Sequence, residues 1–252
     1  MTARLPFVLA ATDQGTLIVN RFDYQNDDKA GFTYGVGFDL LNSANFEPCE
    51  RDMVAKLLEL RRREFGDGVL ALDVGANIGS HTVAWARTMY GWGRILSFEP
   101  QEWVYYALAG NIAINNCLNA RALNVAVGEK DGMIDVPALS PAISRNFGGV
   151  ELKSPVDADV RPIPLITLDS LNLPRVDLIK IDIEGMEINA LHGAAELIKS
   201  NKPILFIEWI KSDQQELVSL LDAFGYNKIN IIGMNLLAIH PDDLCREHVS
   251  FN

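Results

Sequence analysis

Residues 70–86 read LALDVGANIGSHTVAWA. Leu70 to Val74 is an apolar run interrupted only by Asp73, which suits a strand covered on both faces. Gly75 and Gly79 follow, and glycine tolerates positive φ and close backbone approach. The spacing predicts a helix from about Ser80. A buried strand, a glycine turn and a helix make the opening of a βαβ unit. The carboxyl end of such a strand is where open α/β sheets bind ligands.

Working outward from this stretch, the alternation repeats. RILSFE (94–99) reads as a strand, EWVYYALAGNIAINN (102–116) as a helix and ARALNVAV (120–127) as a strand. After residues 128–175 the rhythm resumes with VDLIKIDI, EINALHGAAELIKS, PILFIEW and DQQELVSLLDAFG as strand, helix, strand and helix. YNKINIIG and MNLLAIHP are two strands joined by a link short enough for a hairpin, which sets an antiparallel strand into a parallel sheet. The fold expected is therefore α/β, a doubly wound, mostly parallel Rossmann-like sheet with an antiparallel last strand.

The remaining segments alternate less regularly. Residues 128–175 form an insert with short strands in GMIDVPAL and RPIPLITL around a loop rich in Ser, Pro, Asn and Gly. Residues 1–50 read as a strand-rich extension, with GTLIVNRF and TYGVGFDLL as strands either side of the polar turn DYQNDDKAG. Residues 51–252 are the expected main domain. Its first helix, within EPCERDMVAKLLELRRREFG, carries Met53, Leu57, Leu58 and Leu60 as the apolar set and ends at Gly66 and Gly68. Arg61, Arg62 and Arg63 read as a solvated helix end.

The chain has 252 residues, 48% of them hydrophobic, and a formal charge of -11. The size and composition suit one large domain with a substantial core. The negative charge argues against a long nucleic-acid partner, which needs dense Lys and Arg. Cys49, Cys117 and Cys245 are far apart and have no zinc-site spacing, which suits a reducing compartment. No run approaches the ~20 apolar residues of a membrane span, and LPFVLAA is too short and too quickly followed by Asp13 to suit a signal peptide. A cytoplasmic location is the expectation.

The turn after Asp73 offers free N–H groups and the positive end of a helix, so a phosphate or carboxylate would be held there. The next strand ends in Glu99–Pro100, and an acid in that place accepts hydrogen bonds from a ribose diol. Together they point to a nucleoside ligand, with a ligand-free tight turn as the plain alternative. A dinucleotide would favour GxGxxG, whereas Gly75 is followed by Ala76, Asn77, Ile78 and Gly79. S-adenosylmethionine needs less room; its carboxylate would rest on the helix start and its ammonium near Asp73. In IKIDIEGMEINAL, Lys180, Asp182 and Glu184 alternate with Ile and lean to one side. Such burial is costly unless the charges are paired or used. FIEW brings Glu208 to the same rim.

These residues also resemble a known family. LDVGANIGSHT, FEPQ, NVAVGE, RNFGGVEL, IKIDIEGMEINALHGA and FIEW stand in the order found in the FkbM family of S-adenosylmethionine-dependent methyltransferases. The resemblance runs from about Val69 to Trp209. It implies the class I methyltransferase fold, with seven strands and an antiparallel last one, and O-methylation of a hydroxyl of a sugar, glycan or small metabolite. In its light Asp73, Gly75, Ala76, Asn77 and Gly79 look like the methionine-binding turn, and Glu99 with Pro100 like the ribose site. Asn124 and Ala126 would lie along adenine, Asn146 in NFGG would reach cofactor or substrate, and Asp182 and Glu184 match the acidic DxEG. His192 stands where an Arg is expected in many relatives.

Methyl transfer from a sulfonium needs an aligned acceptor oxygen and a place for its proton. Candidate bases are Glu184, Asp182 and Glu208, in that order, with His81 as an outsider. The same three acids could cluster around a divalent metal, but no metal is assigned. Phe38, Asn42 and Glu47 are candidates for the acceptor rim. A nucleoside-binding module without catalysis is the alternative function, and a nicotinamide oxidoreductase a more distant one.

Overall fold

The computed structural model describes residues 4–27, 29, 31–152 and 159–249. Parts of the expected polar turn 23–31 and of the insert loop, residues 28, 30 and 153–158, lie outside them. The chain opens with an antiparallel hairpin of β1 (Phe7–Thr12) and β2 (Gly15–Asn20), then a short one of β3 (Gln25–Asp27) and β4 (Phe32–Tyr34). Helices α1 (Val36–Ser43) and α2 (Pro48–Phe65) lead into β5 (Val69–Val74). The alternating part continues through α3 (Ser80–Thr88), β6 (Gly93–Phe98), α4 (Glu102–Ile114) and β7 (Ala120–Leu123). β8 (Ala126–Val127) stands just before the insert, which holds β9 (Gly132–Pro137) and β10 (Val160–Ile166). After it come β11 (Leu178–Ile181), α5 (Glu187–His192), α6 (Ala195–Asn201), β12 (Ile204–Glu208), α7 (Gln214–Ala223), β13 (Ile229–Ile232) and β14 (Asn235–Ala238).

Seven strands form the main sheet in the order β13-β14-β12-β11-β5-β6-β7. β7, β6, β5, β11 and β12 run parallel, while β14 is antiparallel to both neighbours. The short Gly233–Met234 connection is the reason: a link of that length can only return the chain antiparallel. Strand order reverses beside β5, between β6 on one side and β11 on the other, and a crevice opens at the carboxyl ends there.

Every residue of β5 and β11 is buried, as expected for strands covered on both faces. One core layer joins α2, α3 and α4 to the sheet and takes in Leu17 and Val19 of β2 with Val36 and Leu40 of α1. The other packs α5, α6 and α7 on the opposite face. The N-terminal hairpin is bound to the main domain by fully buried Asn111. Its Oδ1 accepts from the Ile18 N–H at 2.5 Å, and its Nδ2 donates to the Ile18 and Ile78 carbonyls.

Several elements differ from the sequence expectation, each for a physical reason. TYGVGFDLL is a strand only to Tyr34; Val36–Ser43 is helical, because Val36 and Leu40 at helical spacing reach the core. Helix α2 starts at Pro48, suited to a first turn, and so runs across the boundary expected at residue 50. ARALNVAV divides between two sheets, β7 ending the main one and β8 pairing parallel with β10 in the insert's three-stranded sheet. EINALHGAAELIKS breaks into α5 and α6 around Gly193, whose missing Cβ leaves room for the Gly128 carbonyl.

Arg61 is not a solvated helix end. Its guanidinium is buried, 3.0 Å from Asp177 and 2.6 Å from Asp243, and it ties α2 to the start of β11 and to the C-terminal segment. Asp177 also accepts from the Leu70 N–H at 2.9 Å. Removing one partner of such a cluster leaves an uncompensated buried charge. Arg61→Ala is expected to lower unfolding stability by about 3–5 kcal/mol, read from urea denaturation, while Arg62→Ala, on an exposed side chain, changes it by less than about 1 kcal/mol.

Candidate functional site

The crevice at the switch in strand order is a cavity of about 370 Å³, within the ~300–1,000 Å³ typical of small-molecule sites. Its floor is the β5 turn and the end of β11, with Val74, Gly75, Ala76, Asn77, Lys180 and Asp182. Glu99, Pro100 and Gln101 line one side after β6, Ala126 comes from β8 and Asn146 from the insert. Glu184 and Glu208 close the other side. Tyr34, Asp39, Phe46 and Glu47 form a wall from the N-terminal segment.

The β5 turn has the conformation the glycines suggested, with Gly75 at φ 82 and Gly79 at φ 83. The space they leave is used by the protein itself. A Cβ on Gly75 would stand 1.8 Å from the Asp182 carbonyl oxygen, and one on Gly79 2.5 Å from Leu108 Cδ1. Gly75 borders the cavity, whereas Gly79 does not. Asn77, at φ 50, donates its N–H to Glu99 Oε2 at 3.0 Å. Glu99 Oε1 accepts from the Gln101 N–H at 2.8 Å. Glu99 is thus fixed at the mouth of β6 by two backbone donors. Burial nevertheless pushes its pKa up to about 7.

Lys180 is buried, its Nζ 3.1 Å from Asp182 Oδ2 and 3.8 Å from Asp73 Oδ1. Burial alone would favour the neutral amine, but Asp182, Asp73 and Glu47 outweigh it and hold its pKa above the ordinary range. Asp73 itself does not reach the cavity. It is fully buried beneath the turn, accepts from Thr82 Oγ1 at 2.6 Å and faces Lys180. The strand's alternation turns Asp73, expected near a ligand's ammonium, toward α3 and off the cavity lining, with its Oδ1 left without a hydrogen-bond partner. Asn124 is likewise off the cavity wall, with its Nδ2 donating to the Glu99 and Pro100 carbonyls.

Three acids gather at the ends of β11 and β12. One oxygen from each of Asp182, Glu184 and Glu208 lies within 4.8 Å of the others. Glu184, at φ 57, is paired with Lys211. Its turn is held by Glu187, which accepts from the Ile183 and Gly185 N–H groups. Burial lifts Glu184 to about 7, with the Lys211 bond opposing. Glu208 Oε2 is buried with no hydrogen-bond partner, and burial, then Asp182 and Glu184, push this group up to about 8. Ser80 Oγ and Gln101 Oε1 are further cavity groups left without partners. His81 is stacked on Trp85 with ring centroids 5.1 Å apart, and burial, with Lys180 and Arg51 adding to it, lowers its pKa to about 3.

Of the rim candidates, only Glu47 lines the cavity. Phe38 and Asn42 do not, because the segment is a helix: Val36 and Asp39, three apart, share the cavity-facing side. Asn42 is spent on the Phe38 carbonyl. Asp39, Phe46 and Lys211 went unnamed in the sequence reading. A helical reading of GVGFDLL would have found Asp39; Lys211 follows β12 and is brought to Glu184 only by the folded chain. His192 is exposed at the end of α5, away from the cavity. No helix among the described residues is long and apolar enough to cross a membrane.

Residues 73–228 match the methyltransferase FkbM domain. The chain belongs to the FkbM methyltransferase family. Methyltransferase 1 of Beauveria bassiana (strain ARSEF 2860) is 26% identical over 149 residues, covering 51% of this chain and 59% of its own length. Methyltransferase sdnD of Sordaria araneosa is 29% identical over 157 residues, covering 50% and 60% respectively. The chain thus spans about three-fifths of the length of these curated relatives. The crystal structure of methyltransferase FkbM from Methylobacillus flagellatus KT is similar in fold, with a TM-score of 0.52 at 20% identity. The match covers 81% of this chain and 53% of that one. The sheet order and the antiparallel β14 are those of the class I methyltransferase fold expected from the family.

Glu99, Glu184 and Glu208 hold their protons to higher pH than in the unfolded chain, where a glutamate titrates near 4.5. The native state therefore binds more protons between about pH 4.5 and 8, and its stability falls as pH rises through that window. Glu208→Gln removes one such group. Its melting temperature is expected to exceed that of the parent at pH 8 and to decline less between pH 5 and 8, read by thermal melts across pH. Parallel curves for the two proteins would contradict the placement of Glu208.

Proposed function

We propose that this chain is an S-adenosylmethionine-dependent O-methyltransferase acting on a hydroxyl of a sugar, glycan or small metabolite. Family membership supports the cofactor, and the cavity's chemistry fits it. Glu99 stands at the end of β6 with lone pairs left for a diol. Ser80 Oγ and the N-terminal N–H groups of α3 suit a carboxylate. The cavity is rich in carboxylates, which suits a ligand carrying sulfonium and ammonium charges. When bound, S-adenosylmethionine supplies an electrophilic methyl group on its sulfonium.

The observation that carries the hydroxyl-directed reading is Glu208. Its buried Oε2 lacks a partner, and burial, then Asp182 and Glu184, push its pKa up to about 8, so its ionised fraction near neutral pH is a stronger base than an ordinary carboxylate and can take a hydroxyl proton. Asp182 and Glu184, each engaged by a lysine, are less free for that work. This favours Glu208 as the base over the order expected from sequence. Lys180 and Lys211 hold the neighbouring acids in place, and the N-terminal wall keeps the acceptor side enclosed. The loops from the insert and from α1 and α2 shape the acceptor pocket.

The test is mass spectrometry of labelled methyl transfer from S-adenosylmethionine into a panel of hydroxylated glycans and metabolites. A module that only binds would give a heat of binding and no labelled product. Glu208→Gln is expected to cut turnover by about two to four powers of ten, with affinity for S-adenosylhomocysteine within about threefold of the parent. Undiminished turnover would remove Glu208 from the role of base.

A further inference from the structure

Asp73 is sealed beneath the β5 turn, so the ammonium group of an amino-acid tail needs another counter-charge. The tail's carboxylate has its own place, at the first turn of α3. Ser80 Oγ, on a residue only 4% exposed, lines the cavity there with no partner. Beside it, His81 Nε2 is buried, also without a hydrogen-bond partner, on a side chain 6% exposed. Glu47 Oε2 stands 3.6 Å from that nitrogen. Of the cavity's other acids, Asp182 is engaged by Lys180, Glu184 by Lys211, Glu99 by the Asn77 and Gln101 N–H groups, and Glu208 ends β12, two strands away from β5. Asp39 lies on the same wall as Glu47, and Glu47 stands within 4 Å of His81 on α3.

Glu47 is also held in an unusual way. It caps the start of α2 in the left-handed conformation, at φ 43 and ψ 55, where a glutamate is disfavoured. Phe46, next to it, packs against the His81 ring at 6.0 Å. This geometry aims the Glu47 carboxylate into the cavity at the head of α3, where Lys180 and Asp182 also act on it.

We propose that Glu47, supplied by the N-terminal segment outside the matched domain, is the counter-charge for the α-ammonium of the cofactor's amino-acid tail. The inference rests on the S-adenosylmethionine reading above. It makes residues 1–50 part of the cofactor site and not only of the acceptor pocket.

Calorimetry of the full chain separates these ideas with two ligands. S-adenosylhomocysteine has the tail; 5′-methylthioadenosine keeps nucleoside and sulphur but has no amino-acid group. Glu47→Gln is expected to weaken S-adenosylhomocysteine about tenfold or more, as for loss of a charged hydrogen bond, and to leave 5′-methylthioadenosine within about twofold. Retained affinity for the tailless ligand shows that the variant is folded. Equal loss for both ligands, or no loss for either, overturns the assignment. So does reduced acceptor turnover with S-adenosylhomocysteine affinity intact, which moves Glu47 to the acceptor side. A parent protein that binds neither ligand removes the cofactor reading itself.

Discussion

Lys180 stands buried between Asp73 and Asp182, and the arrangement of the cavity follows from it. β5 and β11 run side by side in register, with Asp73 opposite Lys180. An ammonium taken out of water there is tolerable only because two carboxylates face it, and the carboxylates only because of the ammonium. This mutual requirement fixes the floor of the cavity. It also engages Asp73 and Asp182, and so leaves the acids not paired with a lysine at the edges, on Glu47, Glu99 and Glu208.

Those edge carboxylates cost the folded protein stability above pH 4.5, yet they converge on one crevice. Three non-glycine cavity residues, Glu47, Asn77 and Glu184, also sit at positive φ. Strain of this kind persists where the surrounding structure over-determines it, and it clusters at working sites. Here the supports are visible. Glu187 bridges the Ile183 and Gly185 N–H groups under Glu184, and Glu99 holds the Asn77 N–H. A cleft lined by more acids than lysines is suited to a cationic ligand.

The N-terminal segment completes this crevice. Asn111 bonds it to α4, and Asp23, buried, accepts from the Phe147 N–H at 2.9 Å and the Gly37 N–H at 3.0 Å. One carboxylate thereby ties the start of α1 to the NFGG loop. The family domain begins at residue 73, so this wall belongs to the part of the chain that the family match does not reach. Specificity in loops carried on a shared sheet is expected to differ between relatives.

The sequence by itself determined the sheet and its ligand-binding edge. Doubly apolar β5 and β11, the glycines at 75 and 79 and the short turn before β14 admit few other arrangements, because strand burial, positive φ and link length are local properties. Glu99 was legible for the same reason: it ends a strand next to the turn. What the residues line was decided only by the tertiary structure. Whether Asp73 faces a ligand or Thr82, whether Arg61 meets solvent or Asp177, and whether Glu208 finds a partner depend on residues more than a hundred positions away, or on packing across elements. GVGFDLL became a helix because the core behind it had room for Val36 and Leu40, which no window of the sequence reports. Local chemistry sets which elements form, and burial against distant partners sets which of their charges remain available.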